Sequence, residues 1–201
     1  MQIEMLATLD GRALYGPLLL TPRVFSDERG FFLESWNQRH FNELIGQSLT
    51  FVQDNHSRSV RGVLRGLHYQ LPPYSQGKLV RCVAGSIFDV AVDIRHNSPT
   101  YGSWVSAKLT ATNYCQLWIP EGFAHGFLAL SENNEVLYKT TEFWCRNYER
   151  SLRWDDTDLS IAWPLQNVAN KSPLLSFKDK VAPRLAELPF LEIFGPKYGD
   201  A

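Results

Sequence analysis

The stretch Lys78-Leu79-Val80-Arg81-Cys82-Val83-Ala84, then Gly85-Ser86, then Ile87-Phe88-Asp89-Val90-Ala91-Val92-Asp93-Ile94-Arg95 decides the fold class. Its second arm alternates, with Phe88, Val90, Val92 and Ile94 on one side and Asp89, Ala91, Asp93 and Arg95 on the other. That period of two belongs to a strand. Two such runs joined by Gly-Ser predict a β-hairpin. Outward from it, residues 50 to about 145 keep the same character: short runs with turn signals at fairly regular intervals and no long helix between them. This predicts an all-β sandwich or barrel. On the N-terminal side, residues 18–36 read as strand, turn, strand, with Ser26-Asp27-Glu28-Arg29-Gly30 as the turn. A short helix follows, because Phe41, Leu44 and Ile45 share a helical face and Gly46 is a stop. The tail from Leu174, between Pro173 and Pro196 and broken by Pro183 and Pro189, predicts short helical turns packed on the outside. The expected organisation is one domain over 1–201, with 174–201 as a peripheral C-terminal segment.

Composition narrows the function. The 201 residues are 44% hydrophobic and 20% charged, which suits a globular core and excludes disorder as the main state. Lys and Arg number 20 against 21 Asp and Glu, so the basic excess usual in a nucleic-acid binder is missing. No apolar run approaches the roughly 18 residues needed to cross a bilayer, and no membrane partner is expected. The first residues, Met1 to Arg12, show no basic stretch followed by an apolar one, so no signal peptide is expected. Cys82, Cys115 and Cys145 are odd in number and far apart, which predicts reduced thiols and a cytoplasmic location. Aromatic residues make up 13%, with six Trp, and aromatics often line binding sites.

The densest polar cluster runs through Gln53-Asp54-Asn55-His56-Ser57-Arg58, Leu64-Arg65-Gly66-Leu67-His68-Tyr69-Gln70 and Gln76-Gly77-Lys78-Leu79-Val80-Arg81. Polar side chains embedded in strands are costly to bury unless paired, so they line either a wet cavity or the solvent face of the sandwich. A regular strand would put Arg65 and His68 on opposite faces. For both to face one cavity the strand must bend or bulge, and Gly66 is where that would happen. Metal binding is disfavoured: His40, His56, His68, His96 and His125 are scattered, no His-x-His pair exists, and the cysteines lack CxxC spacing. No Gly-rich phosphate loop is present either.

Several stretches together resemble one family. They are Phe25 to Glu34 (FSDERGFFLE), Gln53 to Ser57 (QDNHS), Gly62 to Gln70 (GVLRGLHYQ), Gln76-Gly77-Lys78, Asp89 to Arg95, Glu121 to Phe127 (EGFAHGF), Tyr138-Lys139 and Trp154-Asp155-Asp156. In this order and spacing they are similar to the dTDP-4-dehydrorhamnose 3,5-epimerase family over about residues 18–183. The resemblance implies a cupin-class jelly roll, a homodimer, no metal or other cofactor, and a dTDP-sugar substrate.

It also implies roles. A 4-keto sugar has acidic protons on C3 and C5, beside the carbonyl. Inverting these centres requires a base on one face, an acid on the other and a group to hold the enolate oxygen. By resemblance His68 is the base, suited near neutral pH, and Asp179 is the carboxylate that orients it. Tyr138 is the acid, and Lys78 is the cation at the carbonyl oxygen. Arg29, Arg65 and Lys178 match contacts to the diphosphate or sugar, where charge-assisted donors suit phosphate oxygens. Glu34, Gln53, Asn55 and Glu149 match polar contacts to the nucleotide, and His125 matches a sugar-pocket histidine. Trp144 stands where Tyr is common and would stack on the thymine. Arg29 and Phe32 resemble residues that reach a neighbouring subunit's site. Phe177, where the family usually has Glu, and Arg146, where Pro is common, depart from the pattern. Three readings remain open: inversion of both centres, inversion of only one, and a non-catalytic or metal-dependent cupin.

Overall fold

A computed structural model describes residues 1–189 and Phe194, so the rest of the tail, with Pro196, lies outside the described residues. The strands are β1 (Gln2–Ala7), β2 (Ala13–Thr21), β3 (Val24–Asp27), β4 (Gly30–Leu33), β5 (Gln53–Ser59), β6 (Leu64–Gln70) and β7 (Lys78–Ala84). They continue with β8 (Ser86–Asp93), β9 (Trp104–Thr110), β10 (Gln116–Ile119), β11 (Phe123–Ala129), β12 (Asn134–Thr140) and β13 (Glu149–Ser151). Helix α1 (Gln38–Ile45) ends on Gly46 at φ 72°, and α2 (Phe177–Lys180) is a single turn. Both the helix at Phe41 and the turn between β3 and β4 stand where the sequence puts them. Strand β1, an exposed edge strand paired with β2, was not foreseen.

Two antiparallel sheets face each other. One has the order β1-β2-β10-β7-β12-β5 and the other β13-β6-β11-β8-β9. This arrangement is a jelly-roll sandwich. It corrects one expectation, for β7 and β8 are not a hairpin. At Gly85 the chain steps from one sheet to the other, and β7 pairs with β10 and β12 while β8 pairs with β11 and β9. Gly85 sits at φ +75°, and a Cβ there would lie 2.1 Å from the carbonyl oxygen of Asn133, so only glycine makes the step. Asn134 ties the crossing down, since its Oδ1 accepts from Ser86 N at 3.1 Å and its Nδ2 donates to Ser59 O at 3.0 Å.

Apolar side chains fill three layers. Between the sheets lie Leu14, Val80, Leu117 and Val136 from one side and Ile87, Ala91, Val105 and Phe127 from the other. On the outer face of the five-stranded sheet, Val90, Val92, Leu128 and Trp104 pack under Leu159, Trp163, Leu185 and Leu188 of the later chain. On the outer face of the six-stranded sheet, Phe41 of α1 meets Leu79 and Trp118, with Phe51 edge-on to Phe41, Trp118 and Trp36. Each such side chain contributes roughly 1.5–3 kcal/mol by leaving water. The alternation of β8 is real, and the packing decides which way each face points. Its continuous apolar face is the outer one, under the C-terminal segment, while Asp89 and Ala91 face the inter-sheet space. Among the described residues, Leu185 and Leu188 pack over the outer face of the five-stranded sheet, while Asp179 at α2 is buried and turned inward.

Candidate active site

The site begins with a bulge. In the pairing of β11 with β6, His125 lies opposite His68 and Phe127 opposite Arg65, so Gly66 and Leu67 together stand across from Gly126 alone. Gly66 is at φ +125°, and a Cβ on it would fall 2.5 Å from Gly126 Cα. Glycine at both positions lets the backbones close up. The extra residue puts Arg65 and His68 into the same cavity, as the sequence required of Gly66.

That cavity has a volume of about 490 Å³ and lies within the range of small-ligand sites. His68, Arg65, His125 and Phe127 enter from the five-stranded sheet, and Lys78, Tyr138 and Ser57 enter from the six-stranded sheet. Leu174, Leu175, Ser176, Lys178 and Asp179 close it from the C-terminal segment. His68 Nε2 donates to Asp179 Oδ1 at 2.6 Å, which leaves Nδ1 as the basic nitrogen. Asp179 is held in turn by Ser176, whose Oγ donates to Oδ2 at 2.8 Å and accepts from Asp179 N at 3.1 Å. Phe177 is 80% exposed, so the departure from the family's Glu leaves the Ser176–Asp179 turn intact.

Burial sets the electrostatics. It pushes the His68 imidazole below its ordinary value, outweighing Asp179, so the ring is neutral near pH 7. Burial would raise the Asp179 carboxyl, but the hydrogen bond from His68 prevails and keeps it ionised. Lys78 is buried, donates from Nζ to His68 O at 3.1 Å, and is brought down to about 8 by desolvation. Desolvation pushes the Tyr138 phenol up, so it keeps its proton.

At the mouth, Lys178 pairs with Glu149 at 3.0 Å. Trp144, 53% exposed, donates from its backbone N to Gln53 Oε1 at 3.0 Å, and Gln53 donates to Asn55 Oδ1 at 2.9 Å. Burial would raise Glu149, but its bond to Lys178 holds it below the usual range. Arg29, Phe32 and Glu34 do not line their own chain's cavity. Among the described residues the β3–β4 ribbon forms a two-stranded sheet of its own, and Arg29 there binds Asp27 while Phe32 is 70% exposed. Among the described residues no three His, Cys, Asp or Glu side chains converge as metal ligands. Sequence reasoning missed Ser57, Phe127, Ser176 and, behind His125, Asp89. Ser176 was readable as an N-cap three residues before Asp179. Asp89 carried no signal beyond its place on one side of an alternating strand.

Comparison with known proteins gives the family and the fold. The family described as dTDP-4-dehydrorhamnose 3,5-epimerase matches residues 12–187. A dTDP-4-dehydrorhamnose 3,5-epimerase of Shigella flexneri is 60% identical over 162 residues, covering 81% of this chain and 87% of that one. One of Pseudomonas aeruginosa is 58% identical over 170 residues, covering 85% and 91%. The crystal structure of dTDP-6-deoxy-D-glucose-3,5-epimerase from Legionella pneumophila, in complex with dTDP-4-keto-L-rhamnose, is similar with a TM-score of 0.87 and 43% identity, covering 96% and 97%. The shared architecture is the cupin-like jelly roll. With matching sequence over most of its length and the same fold, the chain belongs to the dTDP-4-dehydrorhamnose 3,5-epimerase family of isomerases.

Proposed function

We propose that this isomerase inverts C3 and C5 of dTDP-4-dehydro-6-deoxy-D-glucose, giving dTDP-4-dehydro-L-rhamnose. The observation that carries the reading is that His68 and Tyr138 enter one cavity from opposing sheets, with the buried Lys78 between the same walls. His68 Nδ1 takes the C–H proton beside the ketone, and Asp179 stabilises the imidazolium that forms. The electron pair moves onto the carbonyl oxygen, where the Lys78 ammonium holds the enolate. The Tyr138 phenol returns a proton to the opposite face, inverting the carbon. The tyrosinate and imidazolium then reset by exchange with solvent. The same cycle serves each centre, because both flank the one carbonyl.

Arg65 and Lys178 suit the diphosphate and sugar, His125 the sugar pocket, and Gln53, Asn55 and Glu149 the nucleotide, with Trp144 stacked on its base. Arg29, Phe32 and Glu34, remote from their own cavity, suit the site of a second copy in a homodimer. Three free thiols favour the cytoplasm. Among the described residues no helix is long and apolar enough to cross a membrane. The test is proton NMR of the 4-keto substrate with the enzyme in heavy water. Deuterium is expected at both C3 and C5. Label at one centre alone would make the enzyme a single-centre epimerase, and label at neither would overturn the proposal.

A further inference from the structure

Asp89 is fully buried and faces the inter-sheet space from β8. Its Oδ1 accepts from His125 Nε2 at 2.7 Å, whereas Oδ2 has no hydrogen-bond partner among the described residues. A bare buried carboxylate oxygen is costly, so a donor belongs beside it in the working enzyme. Across the cavity from the other sheet stands Lys78, whose ammonium has three donors and gives one to His68 O. Glu149, the other carboxylate acting on Lys78, is already engaged by Lys178.

We infer that Asp89 is a positioning residue whose carboxylate fixes the His125 ring and, with its second oxygen unpaired, faces the Lys78 ammonium without touching it, keeping that ammonium charged beside the sugar's carbonyl oxygen. The inference rests on the role given to Lys78 under Proposed function. The groups facing Lys78 are consistent with it. Desolvation lowers the amine, Glu149 from β13 and Asp89 from β8 raise it, and Lys178 of α2 lowers it. His68, His125 and Tyr138 share the cavity from β6, β11 and β12. Without the Asp89 charge, Lys78 would lose its proton at lower pH, and the enolate would lose its counter-charge with it.

The test compares the pH dependence of deuterium exchange in wild type and Asp89→Asn, with circular dichroism to verify folding. Asp89 raises the Lys78 amine without touching it, so removing its charge should move the alkaline limb to lower pH. An unmoved limb in the folded variant overturns the inference. Should Asp89→Asn not fold, carbon and nitrogen NMR of the wild type decides. The chemical shift of the Asp89 carboxyl carbon should respond to deprotonation of Lys78 Nζ, seen at the same alkaline midpoint, and a carbon shift indifferent to that event overturns the inference. Wild-type exchange in Lys78→Met would instead overturn the role of Lys78 itself.

Discussion

Asp179→Asn tests the imidazole–carboxylate pair while leaving its shape alone. The carboxylate is buried at 2% exposure and lies 2.6 Å from His68 Nε2, so little solvent screens the pair. Asn retains an oxygen for the His68 proton and can keep its place under Ser176, but the charge is lost. An opposite charge at this range supports a partner's protonation by roughly 1–3 pH units, each worth about 1.4 kcal/mol. The imidazolium formed on proton abstraction is therefore less stable by about 1.4–4 kcal/mol, which slows exchange by up to roughly 10- to 1000-fold. Lowering the pH cannot recover the loss, because burial already keeps the His68 imidazole below its ordinary value. The assay is the initial rate of deuterium entry at C5 and C3 by NMR, with dTDP affinity measured by calorimetry on the same sample. Exchange should fall while dTDP affinity stays within about twofold, the mark of an interaction made after binding. Exchange within about twofold of wild type would refute the dyad, since a merely structural contact need not change the proton-transfer barrier.

Other outcomes follow from the same geometry. Exchange should follow a bell in pH: His68 must be neutral and titrates below its ordinary 6.5, so the acid limb lies below that value. The alkaline limb lies near 8, where Lys78 loses its charge, because the Tyr138 phenol is raised above its ordinary 10. An acid limb above 6.5 in the kcat/KM profile would remove His68 as the base. His68→Ala should bind dTDP and show no exchange, whereas Tyr138→Phe should still exchange deuterium but epimerise poorly. Equal loss of exchange in both would contradict the division into base and acid. Gly66→Ala places a Cβ against the Gly126 backbone at φ +125° and should cost about 2–4 kcal/mol. Urea unfolding with an unchanged midpoint would show that the bulge tolerates a side chain.

Much of the fold was legible because period-two alternation and turn residues act locally. The α1 helix, the Ser26–Gly30 turn and the strand-rich middle needed nothing from distant chain. The step at Gly85 did. A short Gly-Ser link looks the same whether it folds a hairpin within one sheet or carries the chain across a sandwich, and the choice lies with the partners of β7 and β8. For the same reason the place of Asp89 was open: alternation separates two faces without saying which is wet. Here the C-terminal layer covers the apolar face, and the polar one turns inward.

The chemistry divides along the same line. Motif order along the chain carried the resemblance to the family and, through it, the proposed set His68, Lys78, Tyr138 and Asp179, because a motif is written in consecutive residues. Their meeting was a tertiary matter: a one-residue bulge between glycines turned Arg65 to the side of His68, and a helical turn 111 residues further on delivered the Asp179 carboxylate. So was their acidity, since the shifts at His68, Lys78 and Tyr138 arise first from loss of water, which depends on the surrounding walls.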